Sequence, residues 1–189
     1  MNRWRVVLFL VAVAAVAWIF AVGPYREMST LFAPRAPFDE VPATSASEAR
    51  DILARIGLAG RDLVRTHLLW DIGTMIANAV IVWSLLRAAL PANRLGGLVA
   101  VTLACVPMLL DGIENFAIAR VVAGWEAPQR AWVDIARIVT TGKLVALAVA
   151  AAAFLVAIVV RITAKLHASR RHRPQPRHPN ARAVSTTLD

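Results

Sequence analysis

A single cysteine, Cys105, stands among 189 residues. It excludes an internal disulfide framework, a CxxC redox pair and every multi-cysteine metal site. Charge is scarce as well: Asp, Glu, Lys and Arg make up 17% of the chain, and the acids are the rarer sign, 12 against 21 basic residues. The chain has no HExxH pair, no nucleophile elbow and no phosphate-cradling glycine loop, so the common motif-borne enzyme chemistries are missing. No internal repeat of the kind that builds many transporters is present either. What fills the space is apolar. Hydrophobic residues are 58% of the total and mean hydropathy is positive, a composition that belongs in a membrane rather than in a soluble domain.

Four apolar stretches come near the ~20 residues that a helix needs to cross a ~30 Å hydrocarbon core. They run roughly from Val6 to Gly23, Leu68 to Leu90, Leu95 to Ile118 and Ile138 to Val160. None alternates as a barrel strand does, and lipid offers no partner to backbone groups, so each is expected to be a helix. The expected fold is all-α: a four-helix transmembrane bundle with an extra external amphipathic helix. The organisation that follows is an anchor helix at 1–23, an extracytoplasmic loop at 24–67, a three-helix membrane core at 68–160 and a disordered basic tail at 161–189.

Orientation follows from Arg and Lys in the connecting segments. Arg3 and Arg5 precede the first span, Arg87 and Arg94 flank the turn between the second and third, and seven basic residues crowd positions 161–182. These segments are assigned to the cytoplasm, with both termini inside, in a bacterial inner membrane. The long first loop is ambiguous by count, since each of its arginines is matched by an acid, and the tail decides. A short basic start and the small residues Ala15 and Ala17 also fit a cleaved signal peptide, although the apolar run continues through Trp18, Ile19 and Phe20. Cleavage would leave the same orientation.

In the first loop, Pro24, Pro34, Pro37 and Pro42 favour an extended path. Ser45 and Glu48 then have the spacing of a capping box, and Ala49, Ile52, Leu53 and Ile56 recur at helical spacing before Gly57 closes the run. From about Arg61 a helix runs without a breaker into the second span, which a turn at Pro91 ends. Trp125 and Trp132 read as interfacial anchors. The tail holds seven basic residues, three histidines and three prolines with no acid before Asp189, a composition that cannot bury a core. Its expected partner is anionic lipid, at about 1 kcal/mol per basic group near the surface. Nucleic acid is not expected, because no aromatic residues interleave the charges. His167, His172 and His178 are too irregularly spaced for a metal site.

Within the spans lie Asp71, Asp111, Glu114 and Lys143. A charge at mid-helix costs about 2.5 to 3.5 kcal/mol on insertion scales and must find a partner or water. At ~1.5 Å per residue, Asp71 lies about 5 Å and Lys143 about 8 Å in from the external surface, and Asp111 about 22 Å above the cytoplasmic start of its helix, so the three share a level. Asp111, Glu114 and Asn115 sit on one helix face. Pro107, one turn earlier, deprives the Leu103 carbonyl of its partner and should bend the helix. Asp71, Thr74 and Asn78 form a second polar stripe, with Gly73 and Ala77 allowing close approach. Gly96, Ala100 and Ala104 offer a small-residue seam on the third span.

An aspartate at membrane entry, the run Leu110-Asp111-Gly112-Ile113-Glu114-Asn115 and a lysine early in the last span resemble a group of uncharacterised small bacterial four-span membrane proteins. The resemblance covers roughly Ser45 to Val160. Gly112 stands where that group often has an aromatic, and a proline common after the first aspartate is missing. The resemblance implies no activity.

The polar residues Asp71, Asn78, Asp111, Glu114, Asn115 and Lys143 therefore form one candidate cluster near the extracytoplasmic side. It serves either as a structural layer, with Thr74 completing the hydrogen bonds, or as a binding site for a small cation or lipid headgroup. Three carboxylates outnumber one lysine unless Arg137 also reaches in. The alternatives are a small transporter subunit, a partner-docking membrane protein or a homo-oligomer. His67, four residues before Asp71, brings in the less favoured reading of a metal-dependent hydrolase. No cofactor is called for, and Cys105, amid apolar neighbours, is a packing residue.

Overall fold

The computed structural model describes residues 3–33, 37 and 42–171. Among them are five helices and no strand: α1 (Arg3–Val22), α2 (Tyr25–Phe32), α3 (Ala46–Ala89), α4 (Arg94–Ala123) and α5 (Arg130–Arg171). Helices α1, α3, α4 and α5 are each long and apolar enough to cross a membrane. α4 packs against both α5 and α3, α3 also meets α5, and α1 lies along α3. Most of their apolar side chains face outward. On α1 only Ala12 is buried, while Leu10, Val11 and Trp18 stand open. Outward apolar faces on every long helix are the surface that hydrocarbon, not water, would cover.

The proline-rich start of the first loop does not run fully extended. α2 begins directly after Pro24, whose carbonyl accepts the Met28 amide at 2.9 Å. A proline at a helix start gives up only an amide that would have had no partner, and no further proline follows before Pro34. Met28 and Phe32, one turn apart, are fully covered. The expected extended stretch at Pro34 falls outside the described residues.

α3 opens as its spacing predicts. Ser45 Oγ accepts the Glu48 amide at 3.1 Å, and the Glu48 carboxylate accepts from the Thr44 amide at 2.7 Å and the Thr44 hydroxyl at 2.6 Å. Two orphan donors at the helix start are thereby satisfied. Gly57 then takes φ 68° and ψ −169°, a region open only to a residue without Cβ. It divides α3 into a short first helix and a long second one that continues unbroken to Ala89.

Ala49, Ile52, Leu53 and Ile56 of the short helix join Met28 and Phe32, Val64 and Leu68, Val121 and Val122 of α4, and Val133 and Ala136 of α5 in one buried core. It caps the end of the bundle where α3 enters, α4 ends and α5 begins. Trp125 and Trp132 pack against this cap, so the indoles have protein neighbours.

On α4, Asn93 Oδ1 accepts the Gly96 amide at 2.8 Å, and Gly96, Ala100, Ala104 and Pro107 are buried along one face. Gly73 allows a close approach, and the neighbour it admits is α1: a Cβ there would lie 3.1 Å from Ile19 Cδ1.

The basic segment expected to be disordered from Arg161 is helical to Arg171. Neither Gly nor Pro occurs between Gly142 and Pro174. A helix already nucleated in the span therefore extends at little cost through Ala164, Lys165 and Leu166. Arg161 donates to the carbonyls of Ala88 and, at 3.2 Å, Leu90, groups that the end of α3 leaves without helical partners. His172, His178 and the rest of the tail lie outside the described residues.

Candidate functional site

Asp111, Glu114 and Asn115 project from one face of α4 just below the cap, with α5 on one side and α3 on the other. Toward α5, the Lys143 ammonium donates to Asp111 Oδ1 at 2.8 Å and to Glu114 Oε2. The side chains of Lys143 and Asp111 are 15% and 17% exposed, and that of Glu114 is fully covered. Removal from water makes such charges costly unless geometry and further hydrogen bonds repay the loss. Here the other Glu114 oxygen meets the hydroxyl of Thr140.

Thr140 precedes Lys143 by one turn on the same face of α5, a spacing that marks it as a partner; its weak polarity in an apolar run hid it. Its Oγ also lies 2.8 Å from the Ala136 carbonyl. One hydroxyl hydrogen thus faces two acceptors.

Toward α3, Asn115 Nδ2 donates to Asp71 Oδ2 at 2.7 Å and lies 3.5 Å from Met75 Sδ. Asn115 is buried, and its Oδ1 has no hydrogen-bond partner. Asp71 is therefore joined to α4 through an amide and not through the lysine. Asn78 makes no hydrogen bond to the cluster; it borders a narrow cleft with Asp111, Lys143, Pro107 and Met108. Thr74 is buried but faces another cavity, shared with His67 and Asp71. The structure thus brings five of the six residues into two neighbouring bonded sets on α4, Lys143 with Asp111 and Glu114 and Asn115 with Asp71, and leaves Asn78 beside them.

Arg137 does not reach in. It points to Asp134 at 3.4 Å and its side chain is half exposed, because the turn between positions 137 and 143 sets it above the layer. Among the described residues Lys143 is then the cation bonded to Asp111 and Glu114, and Asn115 is a partner of Asp71.

Arg61, which sequence counting treats as one loop charge among several, is buried. It donates to the Leu53 carbonyl at 3.0 Å and its guanidinium lies 4.0 Å from the Trp125 ring centroid. The guanidinium thereby ties the short helix to the start of the long one across the Gly57 break while it stacks on the indole. Only the folded approach of residues 53, 61 and 125 creates this clip.

Chemically, the layer holds three helices at a fixed rotation and concentrates negative charge in an apolar setting. Among the described residues no three His, Cys, Asp or Glu side chains stand together as a metal-binding set, so the hydrolase reading gains no support from His67. In comparison with known proteins, the chain matches no family model, no curated protein and no solved structure.

Proposed function

We propose that this chain is a non-enzymatic four-span protein of the bacterial inner membrane with both termini in the cytoplasm. In this reading its short helix before Gly57 forms part of an external cap. Its polar layer keeps α3, α4 and α5 in register and takes up one further small cation, a proton being the simplest. Four long apolar helices and the outward apolar faces support the membrane setting. The observation that carries the binding role is the charge count on α4: two carboxylates, Asp111 and Glu114, share the one ammonium of Lys143, and Arg137 is engaged by Asp134. A proton on Glu114 would also let Thr140 accept from that carboxyl and pass its own hydrogen to Ala136, which satisfies both acceptors.

Infrared difference spectroscopy of the full chain in lipid tests this directly. A protonated-carboxyl C=O band is expected at neutral pH and should vanish in Glu114→Gln. Absence of the band, with no sodium- or potassium-dependent change in thermal stability, would leave the layer a purely structural device. In the same reading the basic C-terminal segment contacts anionic headgroups.

A further inference from the structure

The polar stripe on α3 ends in a residue that the layer does not use. Asn78 is exposed, and among the described residues it has no hydrogen-bond partner. It stands at the mouth of the cleft that leads in to Asp111 and Lys143. Leu147, on the α5 wall of the same cleft, is itself 39% exposed, so the cleft opens sideways from the bundle. At ~1.5 Å per residue, Asn78 lies about 15 Å along the helix from both His67 and Arg87. In the membrane setting that is the middle of the hydrocarbon layer, where a polar group facing lipid finds no water and an amide without a partner is costly. The side chain is too short to carry its amide to either interface, as a lysine or arginine would its charge. Thr141, another exposed polar residue within a span, avoids this cost by returning its hydroxyl to the Arg137 carbonyl at 3.1 Å. An amide has two donor hydrogens and an acceptor oxygen, more than the already bonded carbonyls of its own helix can satisfy.

Amides in this position join transmembrane helices by hydrogen bonds across the contact. A second copy of the chain supplies the complement with no further requirement. In a pair related by a two-fold axis along the membrane normal, both Asn78 side chains stand at one depth, and each offers the other a donor and an acceptor. A different membrane protein would have to carry its own polar group at that height. We propose that the face of α3 around Asn78 is the contact between two copies of this chain, closed by paired Asn78 amides. The inference rests on the membrane setting of the preceding section and not on the extra cation in the layer.

The test uses the full chain with Cys105→Ser and Thr163→Cys, labelled with donor or acceptor dye and reconstituted in vesicles of phosphatidylethanolamine and phosphatidylglycerol over a range of protein-to-lipid ratios. Energy transfer should fall on dilution as a dimer dissociates. Asn78→Leu should raise the dissociation constant about tenfold, the scale of a pair of interhelical amide bonds, while Asn78→Gln, which keeps the amide, should stay within about threefold of the parent. In a Cys105→Ser background, Asn78→Cys should form an oxidised dimer and Ile113→Cys, exposed on α4, should not. No energy transfer at the highest protein-to-lipid ratio, or a dimer that Asn78→Leu leaves as tight as the parent, overturns the proposal. A chain that is monomeric alone, yet whose Asn78→Cys cross-links to another polypeptide in native membranes, assigns the face to a foreign partner and overturns the second copy. Failure of the chain to enter vesicles would overturn the membrane setting and this inference with it, whereas the infrared band of Glu114 bears on the polar layer alone.

Discussion

Among the described residues, Gly57 alone has a positive φ, and a Cβ there would meet no atom within 4 Å. Its requirement is conformational and not steric. Gly57→Ala should cost about 1–3 kcal/mol, the range for a residue forced into such a backbone region, read as a lower unfolding midpoint in detergent. Arg61 supports the same joint from the side. Arg61→Ala removes a buried charged hydrogen bond to the Leu53 carbonyl and should cost about 1–3 kcal/mol, with a change in Trp125 emission. Arg61→Lys should recover only part of the loss, since an ammonium cannot donate and stack as a planar guanidinium does. In the polar layer the sign of each change depends on its partners. Lys143→Met removes the donor that Asp111 and Glu114 share and leaves the Asp111 carboxylate covered and uncompensated, at about 3–5 kcal/mol. Adding Asp111→Asn and Glu114→Gln should restore much of that stability. A triple variant no more stable than Lys143→Met would show that the three groups are not energetically coupled.

The helices show where local signals suffice. The cap of α3 at Ser45, its break at Gly57 and the stop after Ala89 were legible, because each is written in residues within one turn of the boundary. The start of α2 was not: four prolines outweighed the helical spacing of Met28 and Phe32, although a proline at a helix start is harmless. The end of α5 was obscured in a different way. High charge reads as disorder, yet a helix extended from a membrane span needs no core of its own. Arg161 makes this extension part of the fold by holding the end of α3. Arg161→Ala should therefore lower stability by about 1 kcal/mol, the usual worth of a hydrogen bond, read as a lower unfolding midpoint, whereas Lys165→Ala should leave the midpoint unchanged. Equal effects from the two would argue against the staple.

For the molecule as a whole, the compact core gathers at one end and the polar layer lies directly beneath it, so cap and bundle share α4 and α5 as common walls. Ala117 and Ile118 of the core follow Glu114 and Asn115 by a single turn. A disturbance of the layer should therefore reach the cap. Topology is open to direct measurement. In a Cys105→Ser background, Ser47→Cys on the short helix should react with an impermeant maleimide in intact spheroplasts, and Thr163→Cys only after permeabilisation. The reverse pattern would invert the orientation and place the cap in the cytoplasm.

Run length and apolarity were enough to specify the long helices, because a backbone without water must close its own hydrogen bonds and a ~30 Å layer sets how many residues that takes. The spacing of Asp111, Glu114 and Asn115 likewise put them on one face before any neighbour was known. Which group each would meet was decided by the packed helices alone. Lys143 with two acids, Asp71 with an amide, Arg137 turned to Asp134 and Arg61 beneath Trp125 join residues up to 64 positions apart. Such contacts depend on the rotation and separation of packed helices, quantities that no single helix's sequence contains.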